Sequence, residues 1–199
     1  MFTDNDFEVF AEPTLTGRMA KIRSELDPKF EQVAPALLTI LAGTGETWYA
    51  HVAQHRMRTT NPPENTWIAF STNKRGYKML PHFELGLWAD RLYLYLAVES
   101  NMKPRQTATI TPKLMDLTPL VAQLPADFVL SGNHMEPEVQ PIATYPELVT
   151  RFQTVKAAEV LVGIEVHRGD PRLGTPSIND TLQVALKRLL PLYEQLITK

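Results

Sequence analysis

The chain has 199 residues, 20 Lys and Arg against 22 Asp and Glu, a formal net charge of −2 at pH 7 and 44% hydrophobic residues. That length and apolar fraction belong to a globular chain with a core of its own, and a single domain over residues 1–199 is expected. Cysteine is absent, which excludes disulfides, thiolate catalysis and Cys-ligated zinc or iron–sulfur centres, and leaves histidine and carboxylate as the available metal ligands.

The N-terminal MFTDNDFEVF is acidic where a secretory leader is basic. The longest apolar stretches, such as Val160 to Ile164, fall far short of the roughly 18 residues that span a bilayer. A soluble, cytoplasmic protein without membrane contact is expected.

Thr3 and Asp6 can cap a short first helix that presents Phe7 and Phe10 and stops at Pro13. Leu15, Met19, Ile22 and Leu26 recur at helical spacing. Asp27-Pro28 reads as a fresh cap and first position, and Phe30, Val33, Leu37, Leu38 and Leu41 carry a second helix to Gly43, with Pro35 as a bend. Beyond Gly45 the period drops to two: Trp48, Ala50 and Val52 alternate with Tyr49, His51 and Ala53 as a half-buried strand. The consecutive prolines of Asn61–Asn65 make a stiff loop, Thr66–Ser71 resumes as strand, and Asn73–Gly76 is a turn.

A hairpin is legible next. Phe83, Leu85, Leu87 and then Leu92, Leu94, Leu96 and Val98 share one face, and an Ala89-Asp90 turn pairs Gly86 with Tyr93, Glu84 with Tyr95 and His82 with Ala97 on the other. Asn101–Gln106 reads as a polar connection before a helix opening at Thr111-Pro112. Phe128–Leu130 is a short strand, Ser131–His134 a turn, Tyr145–Val155 a helix and Val160–Val166 a buried strand. Ser177 is placed to cap a last helix whose stripe is Leu182, Leu186, Leu189, Tyr193 and Leu196. The order implies an α+β fold, one mostly antiparallel sheet covered by N-terminal and C-terminal helices, with the polar face of the hairpin left free.

Residues 51 to 88 concentrate the chemistry. Arg56, Arg58, Lys74, Arg75 and Lys78 stand there against the one carboxylate Glu64 between Ala50 and His82. A basic, aromatic-flanked segment on an acidic chain points to an anion-binding surface. The candidate ligand-binding set is His51, His55, Arg56, Arg58, Trp67, Lys74, Arg75, Tyr77, Lys78, His82, Glu84 and His134, with arginine forks receiving a phosphorylated small molecule or nucleic acid and Trp67 or Tyr77 stacking a base. Solvated loop cations without a ligand are the plainer reading.

No cofactor and no resident metal ion are expected, and no catalytic residue is assigned. Gly43-Thr44-Gly45 lacks the ending of a phosphate loop, and neither Ser71 nor Ser131 sits in a nucleophile elbow. The alternative is a metal-dependent hydrolase. His51 and His55 share a face, but a strand sets them about 13 Å apart, so His82, Glu84 and His134 would have to complete that site, Glu84 as ligand or general base. A third reading is a homodimeric interaction module using the C-terminal helix.

The segments HVAQH, RTTNPPENTWIAF and NKRGYKMLPHF with GLW resemble the uncharacterised YktB-like proteins of Gram-positive bacteria, and TDNDFEVF, RMAKIR, DPKFEQV and VKAAEVLVG extend the similarity over nearly the whole chain. The resemblance implies a cytoplasmic α+β protein and supplies no mechanism. Met57 and Asn133 depart from the family pattern, where a cation and an aspartate are usual.

Overall fold

Alternating apolar residues in the middle of the chain build one seven-stranded sheet, seen in a computed structural model that describes residues 1–198. Its strands are β1 (Tyr49–Val52), β2 (Thr66–Ser71), β3 (His82–Leu87), β4 (Arg91–Val98), β5 (Phe128–Ser131), β6 (Gln140–Pro141) and β7 (Val160–His167). They lie in the order β1-β2-β3-β4-β7-β5-β6, and each neighbouring pair is antiparallel. The β3–β4 hairpin has the register its residue pattern dictates: His82 faces Ala97, Glu84 faces Tyr95 and Gly86 faces Tyr93, with the Trp88 N–H donating to Arg91 O across the turn.

One face of the sheet is a packed apolar layer. Phe83, Leu85, Leu92, Leu94, Val160 and Val162 point towards the helices and are buried. At roughly 1.5–3 kcal/mol for each large side chain removed from water, this layer is the main source of stability. The helices are α1 (Leu15–Lys21), α2 (Asp27–Leu41), α3 (Lys103–Asp116), α4 (Thr118–Val121), α5 (Tyr145–Thr154) and α6 (Ser177–Ile197). The expected stripe of α6, Leu182 to Leu196, is buried at every named position, and the helix packs on β4, β7, α2 and α3. Those residues are therefore committed within the chain.

Several boundaries differ from expectation. The first helix, Asp4–Ala11, is a 3-10 helix closed by the Thr3/Asp6 capping box. Asp27 does not cap a fresh helix: a π-helical segment, Ile22–Leu26, joins α1 to α2 without a break. Asp27 Oδ1 is buried without a partner, and burial followed by the charge of Glu31 pushes its carboxyl up to about 6. The stop after α2 falls at Gly45, whose φ of 78° is the left-handed conformation that glycine adopts freely. Helix α3 opens at Lys103, not Thr111, so most of the expected polar connection is helical, with Pro104 in the first turn and Pro112 inside. Ser177 is the first helical residue of α6 and makes no cap hydrogen bond.

The larger correction concerns the opposite face of the sheet. It is not left free. His82, Glu84, Tyr93, Tyr95, Ala97 and Leu161 on that face are buried under the segments between strands, which contribute Ala53, Tyr77 and Met135 to a second cluster. Two glycines make room for it. A Cβ at Gly86 would lie 2.3 Å from the Tyr93 hydroxyl oxygen, and one at Gly163 would lie 2.7 Å from Tyr95 Cδ1 and 1.9 Å from Leu94 O. Tyr93 and Tyr95 thus lie against the sheet, ring centroids 4.8 Å apart and nearly parallel.

Candidate functional site: a buried histidine and carboxylate cluster

Four strand ends meet at one end of this second face. His82 opens β3, and Glu84 follows two residues on, so the pleat points both the same way. Opposite them on β4, the alternation of Tyr93, Tyr95 and Ala97 continues to Glu99, one residue past the strand. Because Val98 pairs with Val160, the residue before β7, Glu159, comes beside Glu99. His134 is brought in by the turn that follows β5. His82, Glu84 and Glu99 are fully buried, Glu159 is 3% exposed and His134 9%.

The hydrogen bonds fix proton positions. His82 Nδ1 lies 2.8 Å from Leu80 O, and since a carbonyl only accepts, Nδ1 carries the proton. In the neutral ring Nε2 is then a lone pair, yet it lies 3.1 Å from Glu84 Oε1 and 3.6 Å from Glu99 Oε1. Three acceptors facing one another repel unless a cation, a proton or a metal ion, stands between them. Glu84 Oε2 and Glu99 Oε1 are buried and have no hydrogen-bond partner among the described residues; the 3.6 Å approach of Glu99 to His82 is an ion-pair distance and not a hydrogen bond. Tyr93 Oη and Asn65 Oδ1, on the same face, are likewise buried without partners.

On the other side of Glu99, His134 Nδ1 lies 2.6 Å from Glu159 Oε2, which also accepts the His134 backbone N–H at 2.9 Å. Glu159 Oε1 accepts the Ser100 N–H and hydroxyl, both at 3.2 Å, and Glu99 Oε2 accepts from the Asn101 amide at 2.8 Å. Lys78 Nζ stands 3.7 Å from Glu99 Oε2.

The titration shifts follow from this crowding. Burial alone would lower both histidines; for His134 the Glu159 hydrogen bond and the charges of Glu84, Glu159 and Glu99 reverse it and raise the ring to about 9. His82 also moves upward, burial being overcome by its bond to Glu84 and the charges of Glu84 and Glu99. Burial and then Glu84 push Glu99 up. Burial would raise Glu159 too, but the bonds and charge of His134 hold it below the ordinary carboxylate range. The carboxylates thus make both imidazoles hold their protons more tightly than free histidine does, and burial does the same for Glu99.

Of the residues singled out in the sequence, His82, Glu84 and His134 form this cluster with Glu99 and Glu159. Tyr77 and Trp67 roof it: Tyr77 lies 4.9 Å from the His82 ring, Trp67 stands edge-on 5.6 Å from His134, and Trp67 Nε1 donates to Tyr77 Oη. His55 lies 5.5 Å from the far side of Trp67 and takes the one positive φ among described non-glycine residues, 48°. His51 reaches Asn73 O from β1. Of the five cations only Lys78 touches the cluster. Arg56, Lys74 and Arg75 are exposed and Arg58 half-buried, and none of their side chains makes an ion pair or hydrogen bond among the described residues.

Glu99 and Glu159 are the residues that sequence reasoning passed over. The available signal was the period of two itself: Glu99 continues the polar face of β4, and Glu159 precedes Leu161 and Gly163 on the matching face of β7. Ser100 and Asn101, which donate to these carboxylates, also line a cavity of about 740 Å³ together with Lys103 and Lys156.

An antiparallel sheet with helices on one face and a closed histidine–carboxylate cluster on the other is the class of protein defined here. The chain belongs to the DUF1054 family, a domain of unknown function whose model matches residues 2–193. It is similar to the UPF0637 protein of Leuconostoc mesenteroides, 53% identical over 98% of this chain and all of that one. The UPF0637 proteins of Leuconostoc citreum and Lactiplantibacillus plantarum are 48% and 46% identical, each over 98% of this chain and over 98% and 94% of their own. The YktB-like resemblance read from the central motifs is to these uncharacterised proteins. No helix among the described residues is long and apolar enough to cross a membrane.

Proposed function

We propose that the protein binds a divalent first-row metal ion through His82 Nε2, Glu84 and Glu99, and that metal-dependent hydrolysis is the reaction class this site supports best. One observation carries the reading: the Leu80 carbonyl fixes the His82 tautomer so that its second nitrogen faces two carboxylate oxygens, 3.1 and 3.6 Å away. Ligands about 2.0–2.2 Å from a tetrahedral or octahedral ion lie about 3.0–3.5 Å from one another. Both distances from His82 Nε2 are close to that spacing and the three donor atoms all lie within 4.8 Å of one another, and the Leu80 bond is the outer hydrogen bond that orients a metal-bound imidazole. Imidazole with carboxylate and no thiolate suits Mn²⁺, Fe²⁺ or Zn²⁺. A bound ion would supply Lewis acidity, and Glu84 Oε2, buried and unpartnered, is the oxygen placed to accept a proton from water.

Equilibrium dialysis against Mn²⁺ and Zn²⁺, followed by elemental analysis, tests the reading. The wild-type chain is expected to retain at least one equivalent and Glu84→Gln about one equivalent fewer than wild type; substoichiometric metal in a folded wild-type protein overturns it. A second reading, recognition of a phosphorylated ligand by the loops, is supported by the uncompensated side chains of Arg56, Lys74 and Arg75. Titration with nucleotides and single-stranded nucleic acid at two salt concentrations checks it, and absence of binding at low ionic strength removes it.

A further inference from the structure

We infer that the cluster holds two metal ions, with Glu99 as the carboxylate between them; the inference rests on the proposed first ion and adds a second bound by Glu99, His134 and Glu159. Donor atoms of His82, Glu84 and Glu99 lie within 4.8 Å of one another, and so do donor atoms of Glu99, His134 and Glu159. Glu99 belongs to both groups. Each half then offers one imidazole and one terminal carboxylate, and the shared residue has one oxygen, Oε1, buried without a hydrogen-bond partner. Two-metal hydrolytic sites set their ions about 3.5–4 Å apart, a span that a single bridging carboxylate covers.

The second half is at present closed by a proton. The 2.6 Å separation of His134 Nδ1 and Glu159 Oε2 is that of a hydrogen bond, and an ion would replace that proton while the pair opens by about half an ångström towards a ligand–ligand distance. Glu159 keeps its other three donors, from Ser100 and the His134 backbone, so it stays oriented when the proton leaves. Charge also discriminates between one ion and two. One divalent ion and the His134 proton together balance the three carboxylates, whereas two ions that displace that proton make the centre positive and call for an anionic ligand, hydroxide or the oxyanion of a substrate. The unpaired loop cations stand on the same stretch of chain that closes over the site.

Manganese titration followed by electron paramagnetic resonance tests this, with wild type, Glu84→Gln and His134→Gln compared after circular dichroism confirms that each is folded. The expected result is two Mn²⁺ per wild-type chain with the spectrum of an exchange-coupled pair, and one Mn²⁺ with an uncoupled six-line spectrum in both Glu84→Gln and His134→Gln. Saturation of the wild type at one uncoupled Mn²⁺, or a His134→Gln stoichiometry equal to wild type, overturns the second ion and leaves the first standing. No binding in the wild type overturns both.

Discussion

The two faces of the sheet are buried to the same degree and held by opposite means. Towards the helices, Phe83, Leu85, Leu94 and Val162 exclude water and satisfy nothing but one another. On the other side, residues from the same strands bury three carboxylates, two imidazoles and a pair of tyrosines, and the crowded acceptors leave Glu84 Oε2 and Glu99 Oε1 unpaired. A face built for stability would not gather carboxylates at 0% exposure, since desolvating each costs several kcal/mol. That difference is what supports the metal-binding proposal for the second face.

Four measurements break or sharpen that comparison. The largest effect belongs to the helix face: Leu94→Ala, at a fully buried site, is expected to lower unfolding free energy by about 2–5 kcal/mol in denaturant titration. An effect below about 1 kcal/mol would mean that this layer is not the core. Next, Mn²⁺ or Zn²⁺ at a hundredfold excess over its Kd should stabilise the wild type by about 2.7 kcal/mol. Glu84→Gln should reduce that gain in a thermal melt, whereas Leu94→Ala should keep it.

Third, two histidines flank Trp67 at nearly equal distances and titrate in opposite directions. His55 is lowered to about 4, first by burial and then by the charges of Arg58 and Arg23, while carboxylates raise His134 to about 9. For His55 the unfolded chain takes the proton first, so its contribution to stability is lost as pH falls from about 6.5 to about 4. For His134 in the metal-free protein the folded chain keeps the proton longer, so its contribution is complete below about 6.5 and is lost as pH rises through about 9. Nuclear magnetic resonance titration of the ring protons checks both, and parallel midpoints would contradict the electrostatic account. The smallest effect is expected at the loop surface: Arg56→Ala should change stability by no more than about 0.5 kcal/mol.

The hairpin was legible because its information is local: Gly86 against Tyr93 and His82 against Ala97 follow from alternation and one turn. The start of α3 was not, because Arg105 to Thr109 carry no apolar stripe and the Pro104 first-turn signal is weak beside that polarity. The site was half legible. His82 and Glu84 announce themselves as neighbours on a strand, but Glu99 and Glu159 meet through the β4–β7 pairing, which no local pattern specifies. The basic residues of 56–75 drew attention by their charge density, a property that exposed loops share; the carboxylates that matter are spread over three strand ends and look unremarkable one at a time.

Isothermal calorimetry of Mn²⁺ or Zn²⁺ binding in two buffers of different ionisation enthalpy is the most direct test of the central claim, because an ion entering between these imidazoles and carboxylates displaces the imidazole protons that the carboxylates favour. The account predicts that binding releases about one proton for each imidazole engaged and that affinity rises with pH as the imidazoles give up their protons. Metal uptake with no proton release, or the same uptake by a folded Glu84→Gln chain, would show that the ion sits elsewhere and would contradict it.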